Sequence, residues 1–116
     1  MPWEVLTLIT LFPRYTINPN KLSDIAKYAA DEQIPIRESG GKILGYFIPT
    51  DFAGATNEAI GLIDFPSLAE YEIYRAKLAA HPLHKKYVEA LESTGALLSI
   101  HRSIVQRMES SPEPKP

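Results

Sequence analysis

The chain contains no cysteine, and that absence removes several chemistries at once. There can be no disulfide framework, no thiol nucleophile, and no zinc ribbon or iron–sulfur cluster built on thiolates. Glycine is sparse, at six residues, and forms no phosphate-cradling loop. An excess of charge of either sign is missing too. Twelve Lys and Arg stand against fourteen Asp and Glu, a formal charge of −2, with no basic run. Nucleic acid needs clustered cations to displace counterions, so it is not expected as a partner. No apolar run is long enough to cross a bilayer. Residues 1–12 form the longest, but they carry Glu4 and lack both a basic leader and a small-residue cleavage site. We therefore expect a cytoplasmic protein without membrane insertion. Ser-His-Asp and paired-carboxylate motifs are also missing.

What is present is ordinary in amount and informative in pattern. A chain of 116 residues, 45% apolar, is one domain. A chain of this size buries roughly two-thirds of its unfolded surface, which makes a real but thin core. The domain is expected over residues 1–108. Residues 109–116 end with three prolines in five positions and read as a loose tail.

Residues 5–12 read as a buried strand ended by Pro13, with 15–17 continuing it past a bulge. Asn18-Pro19 starts a helix with Leu22, Ile25, Ala26 and Ala29 on one face, and Pro35 closes it. Gly40-Gly41 turns the chain into a second strand over 42–50. A third strand follows over 57–65. Ser67 and Glu70 have the spacing of a capping box, opening a helix with Leu68, Tyr71, Tyr74, Arg75 and Leu78 on one side. Pro82 starts another short helix that Gly95 breaks, and the last strand runs from 97 to about 107. The order β-α-β-β-α-(α)-β gives an α+β, ferredoxin-like fold with an extra short helix.

The strands carry too much apolar surface for one chain. A sheet covered by helices on one face should alternate apolar and polar residues. The first strand is apolar on both phases. The second sets Ile43, Gly45 and Phe47 against Leu44, Tyr46 and Ile48. The third sets Ala59, Gly61, Ile63 and Phe65 against Glu58, Ile60, Leu62 and Asp64. A second copy of the chain is the simplest cover for the other face, so a homodimer is expected.

Over most of its length, from Tyr15 to about Met108, the chain resembles the NIPSNAP family of dimeric α/β-barrel proteins. The resemblance rests on Gly40-Gly41-Lys42-Ile43-Leu44-Gly45-Tyr46 and Asn57. It continues in Phe65-Pro66-Ser67-Leu68-Ala69-Glu70 and in Arg75-Ala76-Lys77-Leu78 with Pro82 beyond. It implies a two-subunit barrel with a pocket between sheet and helices, and no generally established reaction. Three positions depart from the family pattern. Pro13 stands where an arginine is usual in the first strand, with Arg14 beside it as a substitute. His81 stands for an aspartate, and His84 for an aromatic residue.

Candidate site residues follow from phase and chemistry. Ser99, His101 and Ser103 share one phase of the last strand, while Leu98, Ile100 and Ile104 share the other. As a histidine, His101 can act as acid or base, or can be a hydrogen-bonded edge-strand residue. Tyr46 and Asn57 would approach each other if the second and third strands pair, and both can orient a carbonyl or hydroxyl. Gly45 and Gly61 leave room for a ligand or for a partner's side chain. A ligand site is accordingly expected from Arg14, Tyr46, Phe47, Asn57, Ile63, Ser99 and His101, with His101 and Tyr46 as the catalytic candidates. His81 and His84 lie three apart, which makes a weak metal site; His81 as a helix cap and His84 facing water is the plainer account. No cofactor or metal is expected. Three functions fit: a homodimer binding a small, largely apolar molecule, a cofactor-independent monooxygenase- or isomerase-like enzyme, or an interaction subunit.

Overall fold

A computed structural model describes residues 8–108 and 110–112. Four antiparallel strands, β1 (Ile9–Ile17), β2 (Lys42–Phe47), β3 (Glu58–Phe65) and β4 (Leu97–Gln106), form one sheet in the order β2-β3-β1-β4. Four helices, α1 (Leu22–Asp31), α2 (Gln33–Glu38), α3 (Leu68–Ala80) and α4 (Pro82–Thr94), complete the α+β architecture, with a 3-10 turn at Pro19–Lys21 before α1. This is the ferredoxin-like arrangement that the element order implied. Among the described residues no helix is long and apolar enough to cross a membrane.

Four boundaries differ from expectation: β2 stops at Phe47 rather than at residue 50, and the other three have local causes. Pro13 does not end β1; it sits inside it, in a central strand, where proline normally removes a ladder bond. The β1–β3 pairs stop at Leu11↔Ile63 and resume at Arg14↔Ile60, whereas β4 pairs straight through Pro13↔Arg102. The missing N–H thus interrupts only the β3 side. The part of the expected first strand before residue 8 lies outside the described residues. Pro35 does not close the first helix either. The chain bends at Glu32 and continues as α2, with Pro35 in its first turn, where an N–H has no intrahelical acceptor. The last helix is not short, since α4 matches α3 at 13 residues.

The caps are as the sequence pattern required. Asn18 accepts from the Asn20 amide at 3.0 Å, and Ser67 accepts from the Glu70 amide at 3.2 Å. His81 Nδ1 accepts from the Leu83 amide at 3.1 Å. Gly95 ends α4 at φ +71°, which a side chain would resist.

Leu11, Tyr15, Ile17, Ala59, Ile63 and Phe65 all point from the sheet into the helices and are buried. Ile36, Tyr74 and Leu78 cover one end of this row; Ile25, Leu91 and Ala96 cover the other. Phe65 packs against Tyr71 and Tyr74 with ring centroids 5.3 and 4.6 Å away. Among the described residues no helix lies over the opposite face of the sheet.

Candidate functional site

Between the sheet and the helices lies a buried cluster of polar groups. Its centre is Glu32, at the bend between α1 and α2, a position fixed by helical spacing. Leu22, Ile25, Ala29, Glu32 and Ile36 recur every three or four residues, so Glu32 occupies a core position on an otherwise apolar stripe. Its side chain is only 2% exposed. Oε2 accepts from the Tyr28 hydroxyl at 2.8 Å, and His84 Nδ1 lies 2.6 Å from the same oxygen. Oε1 is buried and has no hydrogen-bond partner. A buried carboxylate oxygen without a donor is costly, on the order of 1–3 kcal/mol, and rare in native structures.

Glu32 borders a cavity of about 30 Å³, together with Tyr15, Tyr28, Tyr46, Tyr74, His84, Arg75 and Arg102. The Tyr15 and Tyr46 hydroxyls lie 3.2 Å apart. Burial raises the pKa of Tyr15, opposed mainly by its bond to Tyr46 and by the Arg102 guanidinium. Burial pushes Tyr46 well above its ordinary value, with Tyr15 adding to the shift. Tyr28 and Tyr74 are also raised, first by burial and then by the Glu32 carboxylate. All four hydroxyls therefore remain neutral hydrogen-bonding groups at physiological pH. Tyr46 can orient a ligand, but it is poorly suited to take a proton from one.

A second, wholly apolar cavity of about 10 Å³ adjoins the first, and Tyr15, Tyr28 and Tyr46 are common to both. Outside it, a groove of about 450 Å³ runs between α1 and α4 over Tyr28, Tyr87, Ala90 and Leu91, with Asp24, Asp31, Lys27 and Lys86 at its edges. Tyr28 borders all three spaces.

The residues singled out from the sequence divide between the two faces of the sheet. Tyr46 and Ile63 line the polar cavity, and Tyr46 and Phe47 line the apolar one. Arg14 and His101 pair across β1 and β4 on the open face, as do Thr16 and Ser99. His101 and Ser99 are exposed there, and Arg14 is 3.8 Å from Glu58. His101 and Tyr46 are thus on opposite sides of one sheet and cannot act on the same atom within one chain. Asn57 does not approach Tyr46. Tyr46 lies opposite Gly61, four residues along β3 and roughly 13 Å away at strand spacing. The Asn57 carbonyl instead accepts from the Ile17 amide at 2.9 Å.

Neither sheet glycine leaves open space. A Cβ on Gly61 would lie 2.8 Å from Tyr46 Cε1 and 3.2 Å from Pro13 Cγ, so this glycine seats the Tyr46 ring. A Cβ on Gly45 would lie 2.8 Å from Phe47 Cζ, because that ring folds back over the strand. Only the Tyr46 ring takes up room on the inner face; Gly45, opposite Leu62, and Phe47, opposite Ile60, belong to the open face. The phase of β4 also differs: the register shifts between Thr16 and Ile17, so Leu97, not Leu98, faces Ile17, and Leu98 is exposed. His84 does not simply face water; it meets Glu32, while His81 Nε2 lies 2.7 Å from Glu38. Two histidines bound to separate carboxylates do not make one ligand set.

Glu32, Tyr28, Arg75 and Arg102 line the cavity without being among the candidates that strand phase and chemistry supply. The available signal is an acid on the apolar stripe, since Glu32 continues Leu22, Ile25 and Ala29 at helical spacing. Arg102 stands in the apolar phase of β4 with Ile100 and Ile104, an equally visible irregularity.

The NIPSNAP family model matches residues 10–112. Solved structures are similar over nearly the whole chain. One is an uncharacterised NIPSNAP-like domain protein from Burkholderia xenovorans, 26% identical, covering 96% of this chain and 94% of that one with a TM-score of 0.75. Another is a NIPSNAP family protein of unknown function from Agrobacterium tumefaciens, 23% identical, with coverages of 92% and 94% and a TM-score of 0.76. A third, described as a dimeric protein of unknown function with a ferredoxin-like fold from Bacteroides fragilis, is 18% identical, with coverages of 87% and 97% and a TM-score of 0.62. No curated protein matches the chain.

Proposed function

The chain belongs to the NIPSNAP family, and from that premise we infer that it works as a homodimer holding a small, largely apolar molecule between its sheet and helices. The observation that carries this is Tyr28, the one side chain that borders the outer groove, the apolar cavity and the polar cavity alike. A turn of its ring would join the three into a passage long enough for a small ligand. The apolar part would then lie against Ile25, Ala29 and Leu91, and the polar end would reach Tyr15, Tyr46 and Glu32. Such a layout, apolar walls with a few convergent polar groups, is the usual character of a ligand site.

The dimer draws on the open face of the sheet. Phe47 and Val105 are exposed there, and Phe12, Ile60 and Leu62 are half-buried without a helix over them. The Bacteroides fragilis relative is described as dimeric. A second chain packed on this face would bring Arg14, Ser99 and His101 to the interface and leave the inner cavities to each subunit.

Native mass spectrometry of the freshly purified full chain tests both parts. A dimer mass with a bound small molecule is expected. Filling the apolar cavity with Ala29→Leu should abolish uptake while circular dichroism stays native. A monomer at micromolar concentration would overturn the dimer. Uptake undiminished by Ala29→Leu would overturn the placement of the ligand.

A cofactor-independent enzyme is the second reading, and the Glu32–His84 contact favours it over one based on His101. A carboxylate beside an imidazole can accept a proton from a bound substrate. It is separated from simple binding by chemical change of the captured molecule on incubation, lost in Glu32→Gln.

A further inference from the structure

The polar end of the cavity has a specific charge pattern, and it defines what the site is missing. Glu32 Oε2 is already served by Tyr28 and His84, but Oε1 is buried with no donor. An ionised carboxylate only accepts, so the group it lacks is an O–H or N–H. The cavity beside it, about 30 Å³, has room for a hydroxyl group or one or two waters. Arg75, from α3, and Arg102, from β4, border the same cavity, and among the described residues neither forms an ion pair. The nearby tyrosine hydroxyls are neutral and cannot balance them. Two guanidinium groups against one carboxylate leave one positive charge uncompensated, which suits a monoanion rather than a phosphate dianion. A planar guanidinium fork also matches a carboxylate in shape.

We propose that the ligand is a hydroxylated carboxylic acid with an apolar chain, its carboxylate on Arg75 and Arg102 and its hydroxyl donating to Oε1 of Glu32. This rests on the ligand site proposed above. It adds the identity of the polar end. The carboxylate takes the mouth of the cavity, where both arginines are exposed to solvent, and the hydroxyl takes the buried end. The hydrocarbon then lies on the side of Tyr15, Tyr28 and Tyr46 where the lining is apolar. A hydroxyl one carbon removed from the carboxylate has the compact geometry that so small a cavity requires.

Isothermal titration of the full chain with β-hydroxyoctanoate, octanoate and octanol, at one salt concentration, tests this. Affinity should fall in that order. Loss of the hydroxyl should cost about tenfold or more, as expected when a hydrogen bond to a charged group is removed. The double variant Arg75→Gln/Arg102→Gln should bind octanoate no better than octanol, with octanol binding unchanged. Glu32→Gln should erase the preference for β-hydroxyoctanoate over octanoate while retaining the preference for octanoate over octanol. Equal binding of all three by the unmodified protein would overturn the assignment of the polar end and leave the apolar site standing. Binding of none would overturn both.

Discussion

Strand β3 carries two rows of side chains with opposite fates. Ala59, Gly61, Ile63 and Phe65 face the helices and are buried to the last residue. Ile60 and Leu62, nearly as apolar, face the other way and stay half-exposed beside Phe12 and Phe47. The same strand, with similar residues, is core on one side and uncovered on the other. The reason is supply: four helices cover one face of a four-stranded sheet, and among the described residues no element remains for the second. The inner face is therefore the folding core of the chain, while the outer face is apolar surface that one chain alone leaves wet. Polar groups divide in the same way. The inner face holds Glu32 and four tyrosines in a water-poor cluster. The outer face holds Arg14, His101 and Ser99 in the open.

The comparison can be broken most directly by truncating one side chain from each face. Phe65→Ala should cost about 3–5 kcal/mol of unfolding free energy, since it empties a fully buried ring site. Leu62→Ala should cost less than half as much in the separated chain, and should instead raise the concentration at which the proposed dimer dissociates in sedimentation equilibrium. Equal losses at all concentrations would mean that the outer face is core in its own right.

Alkaline pH should distinguish the faces next. Tyr15, Tyr28, Tyr46 and Tyr74 all have folded-state pKa values raised above the ordinary 10.0. Folding favours their neutral forms. The stability linked to them is fully present below pH 10 and is lost as the pH climbs above that value. Tyrosinate absorbance from these four should appear together with unfolding. Normal titration of all six tyrosines with circular dichroism still native would contradict the burial described here.

A smaller effect is expected at the one buried ionic contact on the open face among the described residues. Asp64 accepts from Thr10 Oγ1 at 2.6 Å and from Arg107 Nη2 at 2.7 Å. Arg107→Ala leaves the buried carboxylate with the threonine alone. Because Arg107 is itself 41% exposed, the loss should be about 1–3 kcal/mol, below that for a fully buried pair. A urea midpoint unchanged by this substitution would show that solvent already serves Asp64. Smallest of all should be Arg14→Ala. Its contact with Glu58 is 3.8 Å long with both partners about half exposed, so chemical denaturation should register about 0.5 kcal/mol or less. A larger loss would assign Arg14 a structural role on the open face.

Much of the fold was legible because hydrophobic period and capping chemistry are local. Ser67, His81 and Gly95 marked helix ends correctly, and the order of elements identified the sheet. Pro13 and Pro35 misled because their usual consequences were suspended by context. Pro13 spends its missing N–H on a gap in the β3 ladder opposite Gly61, and Pro35 falls in a first turn that needs no donor. The candidate site was half legible. The row Ser99, His101, Ser103 was recognised as sharing a phase, but phase alone does not say which face the helices cover. Strand chemistry points to Tyr46 and Ile63; the acid that organises their surroundings sits on a helix, where only its place on an apolar stripe marks it.

By itself, the sequence determined the ferredoxin-like order, the excess of apolar strand surface and the absence of thiol chemistry, because each is a property of spacing or composition. Only the tertiary structure decided which strand face became core. It also decided that Tyr46 and Phe47 fill the space beside the two sheet glycines, and that Glu32 meets His84 across fifty-two residues. Those outcomes depend on long-range packing, and a side chain's surroundings there are set by elements that are distant in the chain.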